Sequence, residues 1–321
     1  MDRNRKILIS ILAVLVLTSV IAIVDISMNM QQKRGAGISL TGPQIGPGVG
    51  IARIEGPIQM LGVSSPMSAT SGAEGVIRRL DELEQNNDIR AIVVRINSPG
   101  GTVAATQEIY EKLWRLRKKK IPLIASMGEI AASGGYYVAS ACDYIVANHG
   151  SITGSIGVIA VSPNLRGLFD KLGITMNVIK SGRYKDILSV HRDITPEERQ
   201  LIQEIIDSSY RKFVRDVARG RAHVQGEDGI KPIADGRIMS GETALKHKLV
   251  DMLGTFEDAV DKARQMAKLA EDAPVYDEVK SSLQQFLFNM EGRFSGRNFL
   301  NPDPRLLQYE NNYRIEYRYL P

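Results

Sequence analysis

The sequence contains only one cysteine and four histidines in 321 residues, which excludes several kinds of site. Because Cys142 has no second cysteine to pair with, an intrachain disulfide and a cysteine-based metal cluster are both excluded. The cysteine follows three small residues, a setting typical of a buried structural thiol. The histidines, at positions 149, 191, 223 and 247, show no metal-ligand spacing with one another. We therefore expect no metal ion and no other cofactor.

Aromatic residues are also scarce, at 6% of the chain, whereas there are 29 glycines. This composition favours tight turns and close helix packing over an aromatic-lined all-β core. The formal net charge of +5 lies largely in short terminal clusters and in the run from Arg115 to Lys120, which is typical of a solvated helix end. A nucleic-acid partner is therefore not expected.

No charged residue occurs from Ile7 to Val24. As a helix with a rise of about 1.5 Å per residue, this stretch is ~27 Å long, enough to span the hydrocarbon core of a bilayer. Residues 1–6 carry three basic side chains, which favours a cytoplasmic N-terminus and an extracytoplasmic main domain. A cleaved signal peptide is the alternative, but no A-x-A pattern closely follows the apolar stretch. We predict a single-pass anchor over residues 7–24 in the cell membrane.

Beyond the predicted anchor, residues 25–49 have no helical or strand periodicity, which predicts a linker. From residue 50 to 270, strand-like apolar runs alternate with amphipathic helical patterns, which predicts an α/β fold with mainly parallel strands. Residues 271–321 lose this periodicity, and we predict a C-terminal tail there. The predicted strands cover 50–55, 91–96, 121–126, 144–147, 157–161 and 175–179; the predicted helices cover 73–84, 104–117, 195–218, 255–269 and a stretch from 132.

Two glycine-containing segments after predicted strands have the composition of a catalytic site. The first is NSPGG at 97–101, whose glycines leave backbone N–H groups uncovered, as an oxyanion site requires. A plain turn is the alternative for this segment. The second is AASGGYY at 131–137, with Ser133 and Gly134 at a strand–turn–helix corner where a serine is exposed to substrate. A small-residue packing face of a helix is the alternative there.

A third segment, KSGRYKD at 180–186, follows another predicted strand and contains Lys185. A lysine acts as a base only when its ammonium form is disfavoured, by desolvation or by neighbouring cations. Arg183 is close in sequence, but desolvation by surrounding protein is the more plausible cause. A solvated basic loop is the alternative.

Five motifs together resemble the signal peptide peptidase A family, whose fold belongs to the Clp-protease/crotonase superfamily. They occur in family order across roughly residues 50 to 265, and the five together are far more specific than any one alone. The resemblance implies an α/β, Clp-protease/crotonase-like core of repeated ββα units with an N-terminal transmembrane helix. The motifs are NSPGG at 97–101, MGEIAASGGYY at 127–137, GSITGSIGV at 150–158, SGRYKD at 181–186 and ADGRIMSG at 234–241.

The resemblance also implies roles for individual residues. Ser133 matches the family's nucleophile, Lys185 its general base, and Ser155 the serine that hydrogen-bonds and orients the lysine amine. Gly100 and Gly134 match the oxyanion donors. The implied activity is that of a membrane-anchored serine/lysine endopeptidase that degrades remnant signal peptides. The family assembles as a dome-shaped oligomer, so the resemblance implies a homo-oligomer whose active sites are shared between subunits.

Several alternatives remain open. A Clp-type Ser-His-Asp peptidase needs a histidine shortly after the next strand, where His149 is the candidate. A crotonase-like acyl-CoA enzyme shares the fold but needs no serine nucleophile. A non-catalytic, membrane-tethered oligomeric scaffold shares the fold without the chemistry. For the tail, we hypothesise that it enters the active-site groove as a pseudo-substrate, with a surface arm as the alternative.

Overall fold

A computed structural model describes residues 46–61, 72–224, 226–277 and 315–318 of the chain. The strands are β1 (Gly48–Glu55), β2 (Ile89–Ser98), β3 (Gly100–Thr102), β4 (Leu123–Ala132), β5 (Tyr144–Ala147), β6 (Ile152–Gly154), β7 (Ile159–Ala160), β8 (Ile238–Ser240), β9 (Met252–Leu253), β10 (Val275–Tyr276) and β11 (Ile315–Arg318). The helices are α1 (Ala73–Gln85), α2 (Val103–Lys118), α3 (Gly134–Ala139), α4 (Arg166–Leu172), α5 (Pro196–Gly220), α6 (Gly226–Ile230), α7 (Gly241–Lys246) and α8 (Phe256–Met266). Short 3₁₀ turns at Ala222–Val224 and Lys231–Ile233 follow α5 and α6.

The main sheet is mixed but mainly parallel, which confirms the predicted α/β class. Its strands lie in the order β10-β1-β2-β4-β5-β9, and each neighbouring pair along this path is parallel. β4 pairs with β5 through its first half and with β6 through its second half, and β6 pairs antiparallel with β8. The apolar runs of β2 and β4 are typical of parallel strands that are covered on both faces.

Alternate residues of the central strand β2 face opposite sides of the sheet, as strand geometry requires. Ile92, Val94 and Ile96 belong to the larger core, together with residues of α1, α2, α3 and α5. Ala91 and Val93 belong to a smaller core together with residues of α8. All five side chains are fully buried. The two cores hold the centre of the sheet rigidly, and the candidate nucleophile follows directly from its neighbour β4.

Helix α5 begins at the capping sequence that the chain contains. Thr195 Oγ1 accepts the Glu198 N–H at 3.2 Å, and the Thr195 N–H donates to the Glu198 carboxylate at 3.0 Å, which completes a capping box. Pro196 occupies the first helical position, where no intrahelical partner is needed for its nitrogen. The prediction of a helix over 195–218 is confirmed, and the helix ends at Gly220.

Two strand predictions fail in the region between the main sheet and α5. Residues 175–179 form no strand, and in 157–161 only the two residues of β7 do so. The side chains of Met176, Val178 and Ile179 are exposed. These apolar side chains therefore do not belong to a core of the described residues. An apolar sequence pattern predicts that side chains are buried, but it does not specify what they pack against.

The sheets extend into both regions that flank residues 50–270. β1 begins at Gly48, and β10 in the predicted tail pairs with it, with Val275 opposite Val49. β11, also in the tail, lies between β3 and β7 in a three-stranded antiparallel sheet. The predicted anchor over 7–24 falls outside the described residues. Of the helices that are described, none has the length and apolarity needed to cross a bilayer.

Candidate active site

Ser133 occupies the corner between β4 and α3. Its backbone has a φ of 53°, which is uncommon for a residue with a side chain. Two hydrogen bonds hold this strained corner: the Ser133 N–H donates to the Gly154 carbonyl at 2.8 Å, and the Ser133 carbonyl accepts the Tyr137 N–H at 2.8 Å. The sequence prediction of a strand–turn–helix corner is confirmed, and the serine stands at the N-terminal end of α3.

Ser155 lies beside Ser133 because β4 and β6 are paired in register. Ala132 on β4 is opposite Gly154 on β6, so the next residue of each strand is a serine. Neighbouring strands are ~4.8 Å apart, so the two serines are neighbours just beyond the ends of paired strands. Ser155 also has a positive φ, 51°, and its N–H donates to the Arg237 carbonyl at 2.7 Å. Both serines are buried, with 1% and 8% of their surface exposed. The prediction that Ser133 is exposed at its corner is therefore wrong, because the glycine loop and β6 pack around it.

The glycine loop after β2 packs directly against Gly134. A Cβ atom added at Gly134 would lie 2.9 Å from Thr106 Oγ1 and 3.1 Å from both Gly100 Cα and Gly101 N. Because no side chain fits in this space, glycine is required at position 134 for the two segments to meet. The structure thus brings two of the three sequence-predicted segments together at the candidate nucleophile.

The two candidate oxyanion donors differ in their present partners. The Gly100 N–H donates to the hydroxyl of Ser98, a fully buried residue, at 3.1 Å. A role as oxyanion donor therefore requires this N–H to exchange partners when substrate binds. Gly134 is the first residue of α3, where backbone N–H groups have no partner within the helix. Its N–H therefore has no partner within α3, as an oxyanion donor requires.

Lys185 differs from the two serines in its burial. It lies in the loop between β7 and α5, and its side chain is exposed. Within the described residues, no hydrogen bond joins its amine to Ser133 or Ser155. Its backbone N–H closes a turn by donating to the Gly182 carbonyl at 3.1 Å. One copy of the chain therefore assembles the serines and the glycine loop, but not the lysine.

A groove lies along the glycine loop, and a strand of the chain itself occupies it. β11 runs antiparallel to β3, with Tyr317 opposite Gly101 and Arg318 opposite Gly100. The other edge of β11 pairs with β7. The groove can therefore bind an extended polypeptide by backbone hydrogen bonds on both of its edges.

A cavity of about 660 Å³ opens beside Ser155. Its walls come from the β6–β7 loop, α5 and the loop before β8, and they include Val158, Asp207, Tyr210 and Gly236. The Tyr210 hydroxyl donates to the Ala234 carbonyl at 2.8 Å and so ties α5 to the loop before β8. The cavity gives Ser155 a side from which a side chain of another molecule can approach.

Two other sequence-predicted candidates lie apart from this site. His149, which a Clp-type triad would require, is exposed and lies 3.3 Å from the Glu242 carboxylate. Cys142 is fully buried, and burial raises the pKa of its thiol, so the prediction of a buried structural thiol is confirmed. In the part of the chain that the structure describes, no three side chains of metal-binding type form a cluster.

Comparisons with known proteins identify the family. The model of peptidase family S49 matches residues 115–270, and the model of the Clp protease family matches residues 60–146. A putative protease of Synechocystis sp. is 47% identical over 212 residues, which cover 66% of this chain and 75% of the relative. The chain belongs to peptidase family S49. It is therefore a serine peptidase with a Clp-protease-like α/β domain, as the sequence motifs predicted.

Two more distant S49-type relatives are only partly covered. A putative protease of Methanocaldococcus jannaschii is 43% identical over 194 residues, 60% of this chain and 61% of the relative. A putative signal peptide peptidase SppA of Enterococcus faecium is 37% identical over 204 residues, 64% of this chain and 58% of the relative. The chain thus spans about three fifths of the length of these two relatives. Ser133, Ser155 and Lys185 all lie within the region that the S49 model matches.

Proposed function

We propose that this S49 peptidase is a membrane-anchored serine endopeptidase that degrades remnant signal peptides and similar hydrophobic peptides. Ser133 is its nucleophile and Lys185 its general base. The observation that carries the proposal is the register of β4 and β6, which sets Ser133 and Ser155 side by side at two strained corners. The substrate class is supported by the enterococcal relative, which is named a putative signal peptide peptidase.

The proposed reaction is acyl transfer in two stages. A neutral Lys185 amine takes the proton of the Ser133 hydroxyl, and the alkoxide attacks the carbonyl carbon of the scissile bond. Ser155 orients the amine by a hydrogen bond. The lysine then gives its proton to the leaving amine, and an acyl-enzyme remains on Ser133. Water, deprotonated by the same lysine, hydrolyses this ester and restores the free serine.

Backbone N–H groups stabilise the negative charge that develops on the substrate oxygen. Gly134 supplies one donor at the start of α3, and Gly100 supplies a second from the glycine loop. Before substrate binds, the Gly100 N–H is held by the Ser98 hydroxyl. Exchange of this neutral acceptor for an oxyanion is favourable, because a charged acceptor forms the stronger hydrogen bond.

In this proposal a second copy of the chain supplies the lysine. The segment between β7 and α5 exposes several apolar side chains, among them Val161, Leu172 and Ile179. No residue of α4 in this segment is buried. A contiguous exposed apolar surface is typical of a protein–protein contact. Because Lys185 lies on this segment, the contact that covers the apolar side chains also carries the lysine towards Ser155 of the neighbouring copy.

The anchor and the groove account for the choice of substrate. An anchor over residues 7–24 would hold the peptidase domain on the extracytoplasmic side of the cell membrane, where cleaved signal peptides remain. Tethering enzyme and substrate to one membrane raises their effective concentration. The groove between β3 and β7 accepts one extended chain by backbone pairing, so short or unfolded peptides fit and folded proteins do not.

Hydrolysis of a fluorogenic signal-peptide fragment by the full chain in detergent tests the proposal. Ser133→Ala and Lys185→Ala should each abolish turnover without changing the oligomer size. Lys171→Ala is the matched control, because it removes a lysine from α4 on the same segment. A serine-directed acylating reagent should label wild-type protein at Ser133. Undiminished turnover in Ser133→Ala would overturn the assignment, and a correctly assembled but inert wild type would favour the non-catalytic scaffold.

A further inference from the structure

The loop that carries Lys185 is held by ion pairs around the residue that follows it. The Asp186 carboxylate accepts hydrogen bonds from Arg192 Nε at 3.0 Å, from Arg192 Nη2 at 2.9 Å and from Lys180 Nζ. Arg192 Nη2 also donates to the Asp186 backbone carbonyl at 3.0 Å. One guanidinium therefore binds both the side chain and the backbone of the residue next to Lys185.

The same guanidinium binds a second carboxylate in the first turn of α5. Arg192 Nη1 donates to Glu198 Oε2 at 2.8 Å, and Nη2 donates to Oε1 at 2.6 Å. The Glu198 side chain is only 3% exposed, and it also caps α5 through Thr195. Helix α5 is fixed to the main core by buried residues that include Phe213. Arg192 thus connects the turn around Lys185 to an element that packing holds in place.

The charges in this link persist at neutral and alkaline pH. Hydrogen bonds from Arg192, and after it from Lys180, hold the pKa of Asp186 well below its ordinary value. The hydrogen bond from Arg192 lowers the pKa of Glu198 to about 2. Glu198 and Asp186 in turn raise the pKa of Arg192. All three groups are therefore charged under the alkaline conditions in which a lysine base works.

We propose that Arg192 is a positioning residue for the general base. By joining Asp186 to Glu198, it fixes the turn around Lys185 in one orientation relative to α5 and presents the amine to the serine site of the neighbouring copy. This inference rests on the proposed function of Lys185. A lysine at position 192 would not serve, because one ammonium group cannot hold two carboxylates bidentately.

Two other charged pairs around the turn are more exposed to solvent and supply a control. Arg183 and Glu197 are 4.0 Å apart, and both side chains are exposed. Arg166 and Asp193 are 2.6 Å apart, and both are also exposed. Exposed pairs contribute little to stability. Arg166→Ala therefore removes an arginine–aspartate pair from the same segment and leaves the Arg192 link intact.

Steady-state kinetics of the full chain test the proposal, with oligomer size measured for every variant. Arg192→Ala should lower kcat on the order of 100-fold with KM near the wild-type value, because it misplaces the base without removing a substrate contact. Asp186→Asn should also lower kcat, and it leaves the cap of α5 untouched. Arg166→Ala should leave both constants at the wild-type values.

The Arg192→Lys variant separates positioning from a general loss of folding. Lysine keeps a positive charge at position 192 but cannot bind two carboxylates bidentately, so Arg192→Lys should assemble normally, keep KM and lower kcat about as much as Arg192→Ala. A purely structural role would instead reduce the amount of assembled enzyme and leave kcat per assembled oligomer at the wild-type value.

The possible outcomes distinguish this inference from the proposed function. Wild-type kcat per assembled oligomer in Arg192→Ala and Asp186→Asn, or full rescue by Arg192→Lys, would overturn the role of Arg192 if Lys185→Ala is inactive. Turnover in Lys185→Ala would overturn the proposed function and this inference together. If Arg192→Ala does not assemble, Asp186→Asn decides: a reduced kcat with an unchanged KM supports the inference, and a wild-type kcat overturns it.

Discussion

The N–H of Ser133 donates to the carbonyl oxygen of Gly154 at 2.8 Å. This hydrogen bond joins the ends of β4 and β6, so the corner that carries the proposed nucleophile is fixed to the strand that ends next to Ser155. The positive φ of Ser133 is sustained because the corner is held on one side by β6 and on the other by α3. The rigid half of the site therefore belongs to a single chain.

Substitution of Ser155 should impair catalysis more than substrate binding. Ser155→Ala should lower kcat about 100-fold with little change in KM, because the lysine amine loses the hydroxyl that orients it. Ser151→Ala is the control: the Ser151 hydroxyl donates to the Gly128 carbonyl at 2.5 Å, away from the nucleophile. The control should cost ~1 kcal/mol of stability, visible as a lower Tm, and keep kcat. A wild-type kcat in Ser155→Ala would contradict the assigned role.

A single methyl group at Gly134 should separate the glycine loop from the nucleophile. Its Cβ would lie 2.9 Å from the buried Thr106 hydroxyl and 3.1 Å from the loop backbone, so Gly134→Ala should lower kcat and cost about 1–3 kcal/mol of stability. Gly150→Ala is the matched control, because its Cβ would meet nothing within 4 Å. Calorimetry measures the loss of stability in both variants, and steady-state kinetics measures their kcat. Equal kcat values in Gly134→Ala and Gly150→Ala would show that the glycine loop need not contact the corner at Gly134.

Removal of the strand in the groove should increase peptidase activity. β11 pairs with the edge of the glycine loop, which is the edge that we expect a substrate to use. Deletion of residues 315–321 should raise kcat/KM, and a synthetic peptide of residues 314–321 should restore inhibition competitively. A longer deletion that began at residue 274 would not be a clean test. It would also remove β10, which pairs with β1, and Asp277, which binds Arg53. An unchanged or lower rate, with assembly intact, would argue against a pseudo-substrate.

Acid should weaken the link between the lysine loop and α5. Arg192 lowers the pKa of Glu198 from its ordinary 4.5 to about 2. The contribution of the Arg192–Glu198 pair to the stability of the fold is therefore complete above pH 4.5 and is lost as the pH falls towards 2. The pKa of Asp186 is lowered as well, so its effect has the same sign. The difference in Tm between wild type and Glu198→Gln should therefore be largest above pH 5 and shrink towards pH 2. A difference that is constant with pH would contradict this linkage.

Local sequence patterns were sufficient to predict the corner that carries Ser133 and Gly134. The apolar run that begins β4 is distinct, and the small residues after it indicate a turn before a helix. Ser155 was identified only through the family resemblance, because β6 has just three residues and no strand was predicted there. The start of α5 was predictable for a similar reason, because capping depends on residues that are close in sequence.

The remaining features depend on contacts that no local pattern encodes. Residues 175–179 have a strand-like apolar pattern but are exposed, so they belong to no core of the described residues. The strands β10 and β11 are short and pair with residues more than 150 positions away, so sequence periodicity gave no sign of them. The sequence identified Glu198 only as part of the cap at the start of α5. The hydrogen bond that Glu198 accepts from Arg192 is seen only in the folded structure.

Complementation between two inactive variants tests the central claim most directly. Ser133→Ala and Lys185→Ala are each expected to be inert, but co-expressed in equal amounts they can form sites that pair an intact serine with a neighbour's intact lysine. If each site takes its serine and lysine from adjacent copies, random mixing should restore about one quarter of the wild-type turnover. No recovery in mixed oligomers, with both variants shown to co-assemble, would contradict a shared serine/lysine site.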